Sequence, residues 1–321
     1  MSLKVCLLPR PRNESINEFT GVGRVVYAQA RYLPEYDIEI VPEINDADVI
    51  NAHMQLFETP IDVNAPPTIL SSHGVYWTAD PGEYKTHALV ANTSIAASVR
   101  RADHMTVTAE WVGEYLRRDC RINPTVIGHG VDLKDWEPAQ NEGYIFYAKN
   151  RESDVCTSRW AYELAKLKNT VISTFAPRNL PRISEQYFQV MGALPPELMK
   201  DRLQHAEMYL ATTKETFGIT TLESLASGVP VLGFNWGGTK DIVRHKVDGF
   251  LARPNNLEDL VEGVEYIRAH RKELSQNALE RAKDFTWDKV MGKYAELFYQ
   301  VSQQKRPTGV SVIITNHDYL R

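Results

Sequence analysis

The chain has 321 residues, which is enough for two domains of ordinary size. Its residues are 43% hydrophobic and 10% aromatic, as in globular proteins, and no apolar run reaches the roughly 18 residues needed to cross a bilayer. A net charge of −5 argues against nonspecific attraction to nucleic acids and other polyanions. We therefore expect a soluble protein that binds no nucleic acid specifically.

The first residues, MSLKVCLLPRPRNES, contain a short apolar run that Pro9 and Arg10 interrupt. This pattern predicts a first β-strand and not a signal peptide. The cysteines Cys6, Cys120 and Cys156 are odd in number and widely separated, and no His or Cys stands near them at the spacing of a metal site. These features predict a cytoplasmic protein without a structural zinc ion.

Five arginines are concentrated in two segments of the first half that look helical: Arg100, Arg101, Arg117, Arg118 and Arg121. Such a group is usually the solvent-exposed face of a helix. The alternative is a positive patch that contacts an anionic acceptor or the surface of a membrane. In that case the protein would be peripherally attached to a membrane.

Short apolar runs alternate with helical patterns along the first half. In chain order they are LKVCLLP, VVYAQARYL, DIEIVPE, ADVINAHM, TILSSHG, HMTVTA and PTVIGHG. Runs of this kind, bounded by Gly, Pro, Asp and Asn, are typical of a parallel sheet covered by helices on both faces. The polar segment DLKDWEPAQNEG, which contains Pro138 and Gly143, separates this series from a second one and is the predicted linker.

The second series begins with the strand GYIFYAK and the helix SRWAYELAKL. The strands TVISTFA and YFQVMGA, a helix around ELMKDRLQHA and the strand EMYLAT follow in that order. Two consecutive α/β halves imply a cleft between them, and ligands of open α/β sheets bind beyond the carboxyl ends of the strands. We therefore predict an α/β protein with two Rossmann-like domains whose parallel sheets face a cleft.

The segment KETFGITTLESLASGVPVLG holds two glutamates, Glu215 and Glu223, within a short distance of each other. Apolar residues at helical spacing predict a helix from about Ile219, with Glu215 in the loop before it and Glu223 close to its start. Gly218 would let backbone N–H groups at the helix start face phosphate oxygens. The carboxylates could bind sugar and ribose hydroxyls, but from spacing alone an exposed loop acid and a charge near a helix start are simpler explanations.

The longer stretch ETFGITTLESLASGVPVLGFNWGGTKDIV resembles the donor-site signature of retaining glycosyltransferases of family 4, which have the GT-B fold. The elements shared with that signature are Glu215, Phe217, Gly218, Glu223, Ala226, Gly228, Pro230, Val231, Gly237, Gly238 and Asp241. The continuation HKVDGFLARPNNLEDLVEGVEYI is similar to the family's next segment, with Gly249, Leu251 and Pro254 in place. The resemblance implies a GT-B fold and transfer of a sugar from a nucleotide.

The resemblance extends over nearly the whole chain. TGVGRVVYAQARYL looks like the family's glycine-rich turn after the first strand, where Gly21 and Gly23 would admit the donor diphosphate, although Gly-x-Gly alone is a weak signal. SSHGV resembles the loop whose histidine, here His73, lies beside the transferred sugar. VIGHGVDLKDW has His129 where the family usually has Asn, and residues 285–301 resemble its final helix, which packs on the first domain.

One departure from the family concerns the cations that neutralise the diphosphate. The family has an Arg after the first strand of the second domain and a Lys five residues later; here Arg151 matches, but Cys156 stands in the second place. Lys149 or Arg159 could supply the missing charge, although Arg159 is more simply a surface residue of a helix. Without a second cation the leaving diphosphate would be less well stabilised.

The resemblance implies a role for each matching residue. The expected catalytic residues are Glu215, His73 and Arg151. The expected donor-binding residues are Glu223, Gly21, Gly23, Phe217, Gly218, Ile219, Lys149, Arg159 and Gly238. In this scheme Glu215 binds hydroxyls of the donor sugar, and Glu223 binds the nucleotide ribose.

The resemblance also implies the reaction. No Asp-x-Asp metal motif stands in a plausible loop, so we expect metal-independent transfer without a cofactor. The resemblance to the retaining family implies that the anomeric configuration is retained. The expected donor is a UDP- or GDP-linked sugar, and the expected acceptor is a glycan, a lipid-linked or another hydroxyl compound.

The predicted acceptor-side domain spans residues 1–138, and the predicted nucleotide-sugar domain spans 139–284. A helix over 285–304 is expected to return to the first domain. Within the remaining residues, 305–321, PTGVSVIITNHDYLR resembles the first strand and turn of family 2 glycosyltransferases of the GT-A type. We expect these residues to begin a second transferase module on a longer natural chain, with an ordinary tail as the alternative, since one strand cannot form a domain.

Three functions remain open on the sequence. The first is nucleotide-sugar-dependent transfer. The second is a GT-B module that binds nucleotide-sugar or glycan without turnover and scaffolds a neighbouring transferase module; the cysteine at position 156 is its main support. The third is a sugar-nucleotide epimerase or a dinucleotide dehydrogenase, which the incomplete glycine fingerprint disfavours.

Overall fold

The computed structural model describes residues 2–11, 21–53, 65–74, 93–95, 97–99, 101–149, 156–175 and 180–304. Within these residues the chain forms two α/β halves, each built on a six-stranded sheet whose neighbouring strands are all parallel. The predicted α/β class with two Rossmann-like halves is confirmed. Arg100, Arg151 and residues 305–321 lie outside the described residues, so the predictions that concern them stay predictions.

The first half contains the sheet β2-β1-β3-β4-β5-β6. Its strands and helices are β1 (Leu3–Leu8), α1 (Gly21–Tyr32), β2 (Ile38–Val41), β3 (Val49–His53), β4 (Thr68–Ser72), β5 (His104–Val107), α2 (Glu110–Tyr115) and β6 (Thr125–Val126). Every residue of β3 and β4 is buried, as expected for central strands of a parallel sheet that is covered on both faces.

The second half contains the sheet β12-β11-β10-β7-β8-β9. Its elements are β7 (Ile145–Tyr147), α3 (Arg159–Lys166), β8 (Val171–Ser173), β9 (Phe188–Val190), α4 (Pro196–Gln204), β10 (Met208–Ala211), α5 (Ile219–Ala226), β11 (Val231–Phe234), α6 (Thr239–Ile242), β12 (Gly249–Ala252) and α7 (Leu257–Ala282). Two apolar clusters, one on each face of this sheet, form its core.

The last described helix, α8 (Trp287–Ser302), packs on the first half. Its buried residues Met291, Tyr294 and Phe298 share an apolar cluster with Val5 and Val49 of the first sheet. The chain therefore crosses between the halves twice, once between β6 and β7 and once before α8. The domain limits predicted at residues 138 and 284 stay predictions, although the first crossing spans the predicted linker.

Both sheets have a point where the chain reverses its direction of winding, and these points locate a ligand-binding crevice. In the first sheet this point lies between β1 and β3, and in the second it lies between β7 and β10. His53 ends β3, Lys149 follows β7, and Glu215 follows β10. Two predicted site residues, Lys149 and Glu215, therefore flank the switch point of the second sheet, and His53, which was not predicted, lies at that of the first.

Candidate functional site

The loop between β10 and α5 carries the first of the two motif glutamates. Glu215 lies in this loop, as predicted, and Glu223 is the fifth residue of α5. Gly218 directly precedes the helix with a φ of 106°, a left-handed conformation that glycine adopts without steric cost. The glycine lets the chain turn sharply enough for the loop and the start of α5 to stand over the sheet edge.

Glu215 is ion-paired with Lys149, which follows β7 on the adjacent strand of the sheet. The Lys149 Nζ and Glu215 Oε1 atoms are 2.5 Å apart, and the two side chains are 12% and 36% exposed, respectively. Burial opposes the charge on Lys149, but the neighbouring Glu215 carboxylate raises the pKa of the lysine well above its ordinary value. Lys149 is therefore a cation at neutral pH, positioned at the switch point of the second sheet.

Glu223 is ion-paired with Arg24, which comes from the other half of the molecule. The Glu223 side chain is only 10% exposed, while Arg24 is 41% exposed in the first turn of α1. Because the pair joins α1 to α5, it fixes the two helices across the cleft. Glu223 thus faces the cleft and not a solvated helix surface.

The two glycines predicted to form a turn, Gly21 and Gly23, lie in the first turn of α1, so the predicted turn at these two positions was wrong. Their role in donor binding stays a prediction. In this helix Gly23, Val25 and Val26 are buried, and Val26 packs on the first sheet. Gly21 still lies at the cleft: an added Cβ would be 3.7 Å from the Ile219 Cδ1 atom of the second half. The start of α1 and the start of α5 are therefore close together.

Three histidine rings line the first-half side of the cleft. His73 follows β4, and its Nε2 atom lies 2.8 Å from the Nδ1 atom of His53 at the end of β3. The His129 ring stacks on His73 with a 5.4 Å separation of ring centroids. Burial lowers the pKa of His73 to about 4. Burial, together with the neighbouring His73, lowers the pKa values of His53 and His129 well below their ordinary range. All three rings are neutral at physiological pH.

The halves touch around the Thr216–Phe217 step. Trp111 of α2 donates a hydrogen bond from Nε1 to the carbonyl oxygen of Thr216 over 2.8 Å. The Phe217 ring packs against His129 with centroids 4.9 Å apart. Gly74, directly after His73, has no room for a side chain because the Thr216 side chain fills that space. His73 and the glutamate loop therefore lie on opposite walls of one cleft.

A further contact between the halves involves the acid at the end of the signature. The Asp241 carboxylate accepts a hydrogen bond from the backbone N–H of Glu110 over 3.1 Å. Burial raises the pKa of Asp241, while backbone donation from Trp111 and Glu110 opposes the rise. Asp241 therefore ties α6 to the start of α2.

Gly238 holds the glycine loop against the glutamate loop. Its backbone N–H donates to the Glu215 carbonyl oxygen over 2.9 Å, and a Cβ on it would overlap the backbone of Phe217. The Gly-Gly step is therefore needed for close backbone packing, which fixes the conformation of residues 215–217.

We expect Gly238→Ala to lower the free energy of unfolding by about 1–3 kcal/mol, because the overlapped atoms belong to the backbone and cannot rotate away. Gly292→Ala in α8 is the matched control, since its new Cβ would meet the Tyr36 Oη atom at an ordinary 3.5 Å. That control should be neutral or stabilising by about 0.5–1 kcal/mol. Urea unfolding measures both values, and equal stabilities of the two variants would contradict the packing argument.

The position that departs from the family is buried beside Lys149. The Cys156 Sγ atom lies 3.9 Å from both the Tyr147 hydroxyl and the Thr213 Oγ1 atom. Burial raises the pKa of this thiol, although the Lys149 charge opposes the rise. Cys156 therefore supplies no positive charge to the cleft, and the nearby cation is Lys149.

Several other arginines that were singled out in the sequence are exposed. Arg159 begins α3, is exposed and lies with its guanidinium 5.5 Å from the centre of the Trp160 ring. Arg101, Arg117, Arg118 and Arg121 are also exposed, as both a solvated helix face and a positive patch require, so the two explanations of the arginine group stay open.

Among the described residues, no three His, Cys, Asp or Glu side chains are arranged so that they could hold a metal ion. Of the helices in the same ranges, none is both long and apolar enough to cross a membrane.

Three residues at the cleft were not predicted from the sequence. Arg24 follows a glycine that was singled out, but its partner Glu223 is 199 positions away in the chain. His53 ends a buried strand and has no local motif, and Trp111 reads as an ordinary apolar helix residue. What Arg24, His53 and Trp111 share is their place in the fold. Each lies at the carboxyl end of a strand of the first sheet or in the first turn of the helix that follows a strand.

Comparisons with known proteins match the segment that carries both motif glutamates. The protein-family model described as "Glycosyl transferases group 1" matches residues 184–285, the segment that holds both glutamates. The N-acetyl-alpha-D-glucosaminyl L-malate synthase of Bacillus anthracis is 29% identical over 100 residues, which cover 29% of this chain and 26% of that enzyme. The matched stretch is thus about a quarter of that relative's length.

Two solved structures are similar over almost the whole chain. Sucrose-phosphate synthase from Thermosynechococcus elongatus has a TM-score of 0.74 at 14% identity, covering 93% of this chain and 99% of that one. HepE of Anabaena, solved in complex with UDP, has a TM-score of 0.63 at 14% identity. The match covers 94% of this chain and 100% of the HepE chain. At such identities the similarity establishes the fold, and the chain has the GT-B fold.

Proposed function

We propose that this protein transfers a sugar from a nucleotide-diphospho-sugar to a hydroxyl group of an acceptor, in the cleft between its two halves. One observation carries the proposal: both glutamates of the signature stand at the cleft, and each is paired with a cation, Glu215 with Lys149 and Glu223 with Arg24. Carboxylates bind hydroxyl groups and cations bind diphosphate, so the cleft holds both kinds of partner that the donor needs.

The donor would lie along the carboxyl edge of the second sheet. In this assignment Glu223 binds the ribose, and Glu215 binds hydroxyls of the sugar. The backbone from Phe217 to Ile219, at the start of α5, faces the phosphates, where N–H groups and the helix dipole favour negative charge. Lys149 supplies a positive charge from the neighbouring strand, and Arg151 is assigned the same task on the family resemblance.

The nucleotide is assigned as a uridine or guanosine diphosphate. The structural neighbour from Anabaena was solved with UDP, which favours uridine. The acceptor would enter from the first half, where His73 and the start of α1 form the opposite wall. A glycan, a lipid-linked or another hydroxyl compound fits this description.

The transfer proposed is metal-independent and retains the anomeric configuration. The bond between the anomeric carbon and the departing phosphate oxygen breaks, and a bond to the acceptor oxygen forms on the same face of the sugar. The proton of the acceptor hydroxyl passes to the departing phosphate. Lys149 and the N–H groups before α5 stabilise the negative charge that develops on the diphosphate, so the residues act chiefly by electrostatics and orientation.

A non-catalytic binding module is the second candidate, because Cys156 stands where the family that the sequence resembles has a cation. Such a module would bind nucleotide-sugar or glycan and scaffold a second transferase domain. Lys149 weakens this alternative, since it brings a buried positive charge to the same part of the cleft. A second module beyond residue 304, peripheral contact with a membrane and a cytoplasmic location stay predictions.

The function is tested by thermal unfolding with UDP, GDP, ADP, CDP and their common sugar conjugates, followed by an assay for released nucleoside diphosphate. We expect one nucleotide to raise the melting temperature by a few degrees at saturation. Its sugar conjugate should then release diphosphate and glycosylate an acceptor. Stabilisation without release would favour the binding module, and a changed sugar still attached to nucleotide would indicate an epimerase. No stabilisation by any nucleotide would overturn the donor site.

A further inference from the structure

A continuous line of hydrogen bonds runs through the core of the first half. Thr106 of β5 donates from Oγ1 to Ser71 Oγ of β4 over 2.9 Å. Ser71 in turn donates to Asn51 Oδ1 of β3 over 2.7 Å. Asn51 Nδ2 donates to Gln29 Oε1 of α1 over 3.0 Å. These four side chains are at most 2% exposed.

The line continues to the cleft through His53. Its Nε2 atom lies 2.9 Å from Gln29 Oε1, and its Nδ1 atom lies 2.8 Å from His73 Nε2. We call Thr106, Ser71, Asn51, Gln29 and His53 the polar relay. Five consecutive contacts therefore connect the centre of the sheet with His73 on the cleft wall.

The neighbours of each ring nitrogen indicate where the imidazole protons lie. The His53 Nε2 atom has two neighbours, Gln29 Oε1 at 2.9 Å and the Asn51 Nδ2 amide nitrogen at 3.2 Å. An amide oxygen only accepts and an amide nitrogen only donates, so the shorter contact, to Gln29, favours the His53 proton on Nε2. His53 Nδ1 then has a lone pair and accepts the proton of His73 Nε2. His73 consequently keeps its lone pair on Nδ1. That atom is buried and has no hydrogen-bond partner among the described residues.

Such a chain of polar side chains is unusual in the central strands of a parallel sheet, which normally carry apolar residues, and this points to a role other than holding the core together. Buried polar side chains at the centre of a sheet are less favourable than apolar ones unless each is well paired, and β3 and β4 are otherwise the place for apolar side chains. Both imidazoles are neutral, so each has two tautomers of similar intrinsic energy. A fixed chain of donors and acceptors selects one of them.

We propose that His53, held by Gln29 and Asn51, is a positioning residue that keeps His73 in the tautomer with its proton on Nε2. His73 Nδ1 is then a fixed acceptor for a hydroxyl group of the substrate in the cleft. The consequence for turnover rests on the proposed sugar transfer, but the tautomer is a property of the free protein. The tautomer of His73 and its effect on turnover can therefore be tested separately.

The tautomer is measured by NMR of the ring nitrogens in protein labelled with ¹⁵N-histidine, with His73→Asn used to assign the signals. We expect His73 near neutral pH to show a protonated Nε2 and an unprotonated Nδ1. In His53→Leu these shifts should move towards the values of a tautomeric mixture. His53→Asn should largely restore them, because an asparagine side chain places a polar atom where Nδ1 stood.

Two further variants separate the relay from general damage to the core. Gln29→Met removes the polar contact at nearly constant volume and should also release the tautomer, even if His53→Leu fails to fold. Thr108→Val is the matched control, since the Thr108 hydroxyl is buried near the same sheet edge and has no partner among the described residues. A proton on His73 Nδ1, or a tautomer that is unchanged in both His53→Leu and Gln29→Met, would overturn the proposal.

The kinetic consequence is measured once a donor is known. We expect His53→Leu to lower kcat by about ten- to a hundredfold with a donor KM within about twofold, because orientation is lost while the donor contacts remain. His53→Asn should recover most of the loss, and Thr108→Val should match the wild type. An unchanged kcat in a variant whose His73 tautomer is mixed would contradict the positioning role. Absence of turnover in the wild type would count against the proposed function alone, and the NMR result would still decide the tautomer.

Discussion

Replacing Lys149 by methionine is expected to lower kcat by about 100- to 1,000-fold, the range found when one preorganised electrostatic group is removed from an active site. Lys149 is 12% exposed, its pKa is raised well above the ordinary value despite the opposing burial, and it lies at the switch point of the second sheet. Because Cys156 carries no charge, the lysine is expected to bear much of the stabilisation of the leaving diphosphate. Lys246→Met, at a surface lysine that is 43% exposed, is the matched control and should turn over normally.

The same variant should remain folded, which makes the loss of activity interpretable. Removing Lys149 leaves the Glu215 carboxylate, which is 36% exposed and can be hydrated in the open cleft. The converse variant, Glu215→Gln, leaves a buried ammonium group without its counter-charge and should be the less stable of the two. Melting temperatures and initial rates of the two variants distinguish a loss of stability from a loss of catalysis. A folded Lys149→Met protein with nearly normal turnover would exclude the lysine from the reaction.

The secondary structure around the site could be predicted because it is encoded locally. The apolar run before Thr212 and the helical spacing after Gly218 placed Glu215 in a loop and Glu223 on a helix, and both placements are confirmed. Pro230 and the apolar residues after it likewise predicted β11. Runs of this kind depend on neighbouring residues alone, so a single sequence suffices to find them.

The partners of the glutamates could not be predicted, since they depend on how the two halves assemble. Glu215 meets Lys149 only because β7 and β10 are adjacent in the sheet, although 66 positions separate the residues. Glu223 meets Arg24 across the cleft. From spacing alone, Glu215 was explained as an exposed loop acid and Glu223 as a charge near a helix start. The ion pairs appear only when the strand order and the packing of α1 against α5 are known.

The glycines of the first half show how a weak motif misleads. Gly21 and Gly23 suggested a phosphate-binding turn, yet the apolar spacing of the following residues continues back to Gly21 and forms a helix. Gly-x-Gly is compatible with both structures, because glycine tolerates a turn and the start of a helix alike. The residue that reaches across the cleft is Arg24, next to Gly23, whose positively charged side chain pairs with Glu223.

Replacing Glu223 by glutamine is expected to weaken donor binding by about ten- to a hundredfold, as for the loss of a hydrogen bond to a charged group. The carboxylate also holds Arg24, so the variant removes two interactions at once. Glu262→Gln, at a glutamate that is 61% exposed, serves as the surface control.

Arg24→Met separates these two contributions, because it breaks the same ion pair and leaves the carboxylate in place. If Glu223 binds the ribose, Arg24→Met should bind the donor better than Glu223→Gln does, since its carboxylate is free to accept both ribose hydroxyls. Calorimetric titration of the nucleoside diphosphate, which lacks the sugar, isolates this contact. Equal losses in the two variants would assign Glu223 to holding Arg24 and the two halves together. Unchanged affinity and turnover in Glu223→Gln would remove the residue from the donor site.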